Sequence, residues 1–333
     1  MRFIMSGLRR TRETIEVYWL LVRIMVPIMI ATELLSRIGA IEATAPAFSP
    51  VMHALGLPAE LGLAWLTGML VGVWGAVALV FVLVPASSLT VADVTVFSSL
   101  ILFTHALPIE QKIIQQAGPG MIVTTLLRIA GGLVYAFLLH HLLAATGWLS
   151  SPVDPAWIPM TTTADWMDFF TGLFETLTWM LVILVALSWG LDILRATGVL
   201  NLMMKVLSPA LRPVGIKGEA EHLTAVGLFL GISYGAGLLI REARSGAVSP
   251  RQVFLSCTFM GFAHSVIEDT LVVMAIGADI GGVLFGRLVF ALVAIAAVAA
   301  LLRSVSDKTF HNWAFRSAPR APVDRNVRTP ADV

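Results

Sequence analysis

Charge is scarce in this chain and cysteine nearly absent. Only 13% of its 333 residues are charged, while 57% are hydrophobic and the mean hydropathy is +0.86. That excludes a soluble globular domain, in which charged residues make up about 25%. A single cysteine, Cys257, excludes an intramolecular disulfide. There is no His-Glu-x-x-His pair, no Gly-x-Ser-x-Gly elbow and no phosphate-cradling Gly-Lys loop. The chain is therefore not expected to be an enzyme. No cofactor and no nucleic-acid partner are expected. Lys and Arg are missing altogether from 38–60 and from the linker 147–168, GWLSSPVDPAWIPMTTTADWMD.

What is present is apolar sequence in long runs. Those near 16–36, 120–145, 173–194 and 280–302 are each long enough to cross a hydrocarbon core of roughly 30 Å. The lipid bilayer is thus the first expected partner. Residues 1–12 carry Arg2, Arg9, Arg10 and Arg12 and run into an apolar helix without a small-residue cleavage site, which reads as an uncleaved anchor. Residues 304–333 are polar, basic and proline-containing, and read as a flexible cytoplasmic tail.

The chain also contains an internal duplication. Aligning His105 with His264 sets an offset of 264 − 105 = 159, and that offset holds without gaps along both halves. Glu16 falls on Glu175, Gly39 on Gly198, Ser49-Pro50 on Ser208-Pro209 and Gly56 on Gly215. Gly68 meets Gly227, Gly72 meets Gly231, Phe103 meets Phe262, Gly118 meets Gly277 and Arg128 meets Arg287. Matches of this composition are not what chance gives in a chain rich in Leu, Val and Ala. Residues 13–146 and 169–303 are accordingly two copies of one unit, joined by 147–168.

Charge placement orients the copies. Basic residues gather at the N-terminus, at Arg195, Lys205, Arg212 and Lys217, at Arg241, Arg244 and Arg251, and in the tail, so all four regions should be cytoplasmic. The Lys/Arg-free segments should lie outside. Each copy then needs an odd number of crossings, and the copies are inverted. Four apolar segments per copy would be even, so one must fail to cross. The glycine-interrupted segments 61–84 and 223–240 are chosen as re-entrant hairpins, with tips near Trp74-Gly75 and Ser233-Tyr234-Gly235. The expected fold is an all-α integral membrane protein. Each of its two inverted repeats has three transmembrane helices, a re-entrant helical hairpin and an interfacial helix, at about 44–56 and about 203–215.

Polar groups concentrate in the crossing after each hairpin, in 100-LILFTHALPIEQ-111 and 259-FMGFAHSVIED-269. Pro108 favours a break just past His105. Ionisable groups in membrane segments usually pair. Their positions about a common turn predict salt bridges Glu110–Arg128 and Asp269–Arg287. Glu268 stands one helical turn after His264 on the same face. The two histidines read as satisfied core groups, as solute contacts, or as proton or metal contacts, and the sequence leaves these open. No metal is assigned.

Taken as a unit, the helix, the Ser-Pro-containing amphipathic helix, the G-x-x-x-G hairpins at Gly68/Gly72 and Gly227/Gly231, and the interrupted FTHALPIEQ and FAHSVIEDT helices resemble a known family. It is the nucleoside-transporter and ferrous-iron-transporter Gate family, or nucleoside-recognition domain, in a fused form similar to spore maturation proteins A and B. The resemblance implies solute binding where hairpin tips approach helix breaks, here Trp74, Gly75, Ser233, Tyr234, His105, His264 and Glu268. The expected function is a secondary transporter of a small polar or charged solute, coupled to H+ or Na+. The alternative is a membrane assembly protein of the spore-maturation type. The expected location is the bacterial cytoplasmic membrane with both termini inside, and a homo-oligomer is left open.

Overall fold

The computed structural model describes residues 45–155, 165–246 and 248–316, with scattered positions from 15 to 43 and some side chains omitted between 187 and 245. The expectations placed on residues 1–12, and on the tail beyond 316, lie outside the described residues. Helices dominate, and among the described residues there is no strand, only isolated bridges at Thr90–Pro152 and Pro119–Phe315.

In the first half, α1 is Ser49–Ala54, α2 Leu61–Val71, α3 Val73–Leu83, α4 Val91–Thr104, α5 Leu107–Ala117 and α6 Met121–Thr146. In the second, α7 is Trp166–Ala196, α8 Val199–Leu211, α9 Glu219–Ser245, α10 Pro250–Phe262 and α11 Glu268–Ala275. A π-helical turn, Gly281–Gly286, then leads into α12, Arg287–Ser304, and α13 is Asp307–Trp313. The order of the first half recurs in the second, and so do its backbone exceptions. Positive φ occurs at Gly56 and Gly215, Gly72 and Gly231, Ala106 and Ser265, and Gly118 and Gly277, each pair at the same offset. Thr90 caps α4 through a reciprocal bond with Asp93, and its counterpart Ser249 caps α10.

The chain reverses between α2 and α3. A Cβ on Gly75 would sit 3.3 Å from Thr67, and one on Gly68 would sit 2.9 Å from Ala76. Eight residues of straight helix would separate such pairs by about 12 Å. The turn is at Gly72, with φ 128° and ψ 178°, not at Trp74-Gly75. In the second half the break is at Gly231, with φ 82° and ψ 163°, not at Ser233-Tyr234-Gly235. Both conformations are essentially restricted to glycine, which fixes the turn two to four residues before the expected tips. The helix expected at 44–56 is also shorter, confined to Ser49–Ala54 after a 3-10 turn at Ala45–Ala47.

Among the described residues, four stretches are long and apolar enough to cross a membrane: Val91–Ala117, Met121–Thr146, Trp166–Ala186 and Gly281–Ser304. The first is 72% buried and the others 28–33%, so the broken α4–α5 unit is interior and the rest line the perimeter. Perimeter helices carry apolar stripes at helical spacing, including Ile122, Leu126 and Leu138 on α6 and Phe285, Val289 and Val293 before and along α12. Surfaces of this size and chemistry suit lipid rather than water.

Two ends of the bundle are defined by contacts. At one, the start of α4 is bonded to the linker through Val91 N to Ser151 O and Ala92 N to Leu149 O, and Gly277 lies against Val153 and Pro155. At the other, Gly120 N donates to Ala314 O, and Arg251 donates to Val305 O and to Asp307 at 2.8 Å. Residues 304–316 are therefore not the flexible tail expected. Ser306 caps α13, buried Phe310 anchors it, and Phe315 stacks on Phe310 over Gly118.

Candidate functional site

The site forms where both inner helices break. α4 ends at Thr104, His105 is extended (φ −73°, ψ 159°), and Ala106 takes a left-handed turn into α5, where Pro108 sits in the first turn. Pro108 has no amide hydrogen to donate, so the helix restarts there at no hydrogen-bonding cost. α10 ends at Phe262, and residues 263–267 are non-helical before α11, with Ser265 in the left-handed region. No proline stands at that second break.

A broken helix leaves carbonyls without partners, which is costly away from water. Two fully buried arginines fill the gap. Arg128 Nε donates to Phe103 O at 2.7 Å and its Nη2 to His105 O at 3.0 Å. Arg287 Nε donates to Phe262 O at 2.9 Å, and its Nη2 to Leu102 O at 2.9 Å and His264 O at 3.3 Å. Each guanidinium thus caps the C-terminal end of a half-helix, where the backbone dipole favours a cation. On α6, Gly132 and Gly131 allow close approach: a Cβ on Gly132 would lie 2.8 Å from Phe103, and one on Gly131 3.0 Å from Phe262.

The histidines of the two halves meet. Their ring centroids are 4.7 Å apart and their Nε2 atoms 3.0 Å apart. Each Nδ1 lies on the carbonyl four residues earlier, His105 on Ile101 O at 3.1 Å and His264 on Met260 O at 2.8 Å. A carbonyl only accepts, so Nδ1 carries the proton in both rings, and a neutral ring is left with a bare Nε2. Carboxylates approach crosswise. His264 Nε2 is 3.0 Å from Glu110 Oε1, whereas His105 Nε2 is 3.4 Å from Asp269 Oδ2 and 3.8 Å from Glu110 Oε1.

Glu110 is held by Arg128, with Oε2 2.6 Å from Nη1. The Asp269–Arg287 bridge expected from the repeat is absent: no ion pair joins them within 4.0 Å among the described residues, and both Asp269 Oδ2 and Arg287 Nη1 are buried without a hydrogen-bond partner. Asp269 is one methylene shorter than Glu110, and Arg287 is turned to three carbonyls. Glu268 is half-buried in the first turn of α11. Trp74 and Gly75 are buried at the start of α3. Ser233 and Tyr234 lie on α9, and their side chains are outside the described residues.

The chain reversals do reach the breaks. Ala106 N donates to Gly68 O at 3.0 Å, with Gly72 beside Ala106, and Val266 N donates to Leu228 O at 3.1 Å, with Gly231 against Ser265. Trp65 Nε1 donates to Thr104 Oγ1 at 3.0 Å, fixing the last turn of α4. Sequence reasoning missed the arginines' role as carbonyl caps. The signal was there: Arg128 and Arg287 occupy matched positions, and each follows an interrupted helix.

Residues 177–308 match the family described as Gate, nucleoside recognition. The chain is also similar to "Uncharacterized membrane protein YvoD" of Bacillus subtilis (strain 168), at 25% identity over 289 residues, covering 84% of this chain and 90% of that protein. No solved structure matches. The matched stretch runs from α7 into α13 and includes the second break with its histidine, aspartate and arginine, so the similarity to the Gate, nucleoside-recognition, family falls on the second half of this membrane protein.

Proposed function

We propose that the chain is a secondary transporter of a small polar or charged solute, coupled to H+ or Na+, and not an enzyme. The solute site lies where the Gly72 and Gly231 reversals meet the two broken helices. The observation that carries this reading is the histidine pair. Two helices from different halves break at matched positions, and each presents its histidine to the carboxylate of the other half, in a buried setting. Interrupted helices meeting inside a membrane bundle are the usual way secondary transporters expose backbone and dipole ends to a solute.

In this reading residues 13–146 and 169–303 are inverted repeats in a bacterial cytoplasmic membrane. Two facts support the inversion. The α4–α5 unit starts at the linker end and finishes beside α13, while the matched α10–α11 unit starts beside α12 and α13 and finishes at the linker. The end bearing Lys217, Arg251 and Arg303 would be cytoplasmic, and the Lys/Arg-free linker external.

The test is a thermal-shift screen of the purified protein against nucleosides, amino acids, short peptides and metal cations, repeated with His264→Ala and Glu268→Ala. A ligand that binds only the folded state raises its stability by an amount set by concentration over Kd. A shift abolished in both variants is the expected result. If no ligand class shifts the wild type, the transport reading falls and a membrane assembly role takes its place.

A further inference from the structure

The hydrogen-bond accounting at the histidine pair does not close. Both Nδ1 protons are committed to backbone carbonyls, so two bare Nε2 atoms face each other at 3.0 Å. Asp269 Oδ2, buried and without a donor, is 3.4 Å from one of them. Glu110 Oε1 borders the same point, 3.0 Å from His264 Nε2. With both rings neutral, four lone-pair-bearing atoms converge and no neighbouring N–H or O–H of the described residues is bonded to them. Arg128 is occupied by Glu110 and by carbonyls; Arg287 spends Nε and Nη2 on carbonyls, and its Nη1 reaches none of the four atoms within hydrogen-bond distance. An arrangement of acceptors alone is repulsive, and a buried carboxylate without a partner is costly.

We infer that His105 Nε2, His264 Nε2 and Asp269 Oδ2 form a binding site for a divalent cation of the zinc class, clamping the two halves together. The three atoms lie within 4.8 Å of one another. Ligand bonds of about 2.0–2.1 Å in a tetrahedron place neighbouring donors about 3.3 Å apart, close to the 3.0 Å and 3.4 Å observed. Two imidazoles with one carboxylate suit zinc or cobalt better than calcium or magnesium, which prefer oxygen alone. The outer contacts suit it too. Each ring donates its other nitrogen to a carbonyl, the arrangement that orients a metal-binding histidine. Three protein ligands leave one position of a tetrahedral ion open.

The ligands are divided between the halves, with His105 on the first and His264 and Asp269 on the second. Binding therefore favours the arrangement in which the broken helices touch, and an alternative arrangement must release the ion. That regulatory consequence rests on the transport reading of the same histidines; the binding itself does not.

The experiment uses the full chain, purified in detergent, stripped with chelator and dialysed against Co2+. Bound metal is measured by elemental analysis and coordination by visible absorption. The expected result is a single Co2+ per chain with the intense d–d absorption of a four-coordinate site. Asp269→Asn, which keeps the side chain's shape, and His105→Gln should each lower affinity at least about 10-fold. His140→Ala with His141→Ala, which removes the neighbouring histidines on α6, should leave it unchanged. Absence of bound Co2+ in the wild type overturns the proposal, as does Co2+ that survives Asp269→Asn and disappears with the His140/His141 change. Stoichiometric Co2+ with no solute in the thermal-shift screen supports the metal site while the transport reading fails; a solute that shifts stability while Co2+ stays unbound does the reverse.

Discussion

The two halves carry the same backbone and different electrostatics. Both have a reversal at a glycine, a helix broken beside a histidine, and an arginine that caps the break. In the first half the carboxylate is neutralised by its own arginine at 2.6 Å; in the second it is not, and Asp269 turns toward His105 of the other half. The fold needs the arginines as caps, a demand that both copies meet. It does not need the carboxylate–arginine pair, since the second copy lacks it. The first copy's carboxylate is therefore held in an ion pair, while the second's has no arginine partner among the described residues and faces the histidine of the opposite half.

This comparison can be broken most forcefully at the arginines. Arg128→Met strands the buried Glu110 carboxylate, at about 3–5 kcal/mol, in addition to two carbonyls, whereas Arg287→Met strands three carbonyls and no paired carboxylate, at about 1–3 kcal/mol each if left unsatisfied. A double-mutant cycle isolates the pair. The coupling between Arg128→Met and Glu110→Gln should be about 2–3 kcal/mol, and that between Arg287→Met and Asp269→Asn, which share no ion-pair contact, clearly smaller. Unfolding measured by thermal or denaturant titration gives both values, and equal couplings would erase the distinction between the halves.

A smaller effect separates the reversals. Gly72→Ala and Gly231→Ala each force alanine into a glycine-only conformation, a cost of about 1–3 kcal/mol. Only Gly231→Ala adds a collision, since its Cβ would lie 2.3 Å from Ser265 Oγ, whereas at Gly72 the nearest atom is 4.0 Å away. Gly231→Ala should be the more destabilising in a melting experiment, and adding Ser265→Gly should recover the excess. No recovery would mean that the second break is not packed as described.

The smallest effect lies outside the membrane helices, where α13 docks. The hydrogen bond and charge of Arg251 hold the exposed Asp307 carboxyl below its ordinary range. A folded-state value below the unfolded one stabilises docking above the ordinary carboxylate range, and the contribution fades as pH falls through the lowered value. Protection factors across 307–315, corrected for the intrinsic pH dependence of amide exchange, should therefore fall in acid for the wild type and change less for Asp307→Asn. Identical acid profiles would remove Asp307 from the docking contact.

Much of this architecture is written in the sequence because the duplication repeats residues with special backbone roles. Gly72 and Gly231 stand as a matched pair in the sequence, but so do other glycines, and only the positive φ values mark where the chain turns. Pro108 signals the first break. The second has no such marker, and neither Ala106 nor Ser265 advertises its left-handed conformation. The crosswise approach of each histidine to the other half's carboxylate depends on how the halves pack, which a repeat offset cannot specify. Symmetry reasoning paired Asp269 with Arg287, and a single methylene with competition from three carbonyls undoes that pairing. The docking of 304–316 was hidden by composition, because one buried aromatic, Phe310, outweighs the polar residues around it.

The central claim is that two inverted halves meet at His105 and His264, and matched single cysteines test it most directly. Met121 and Ile280 occupy equivalent positions at the start of α6 and of the turn before α12. In a Cys257→Ser background, Met121→Cys and Ile280→Cys would be probed with a membrane-impermeant maleimide on intact cells. The account predicts labelling of Ile280→Cys from outside and of Met121→Cys only after permeabilisation. Labelling of both from the same side would contradict it.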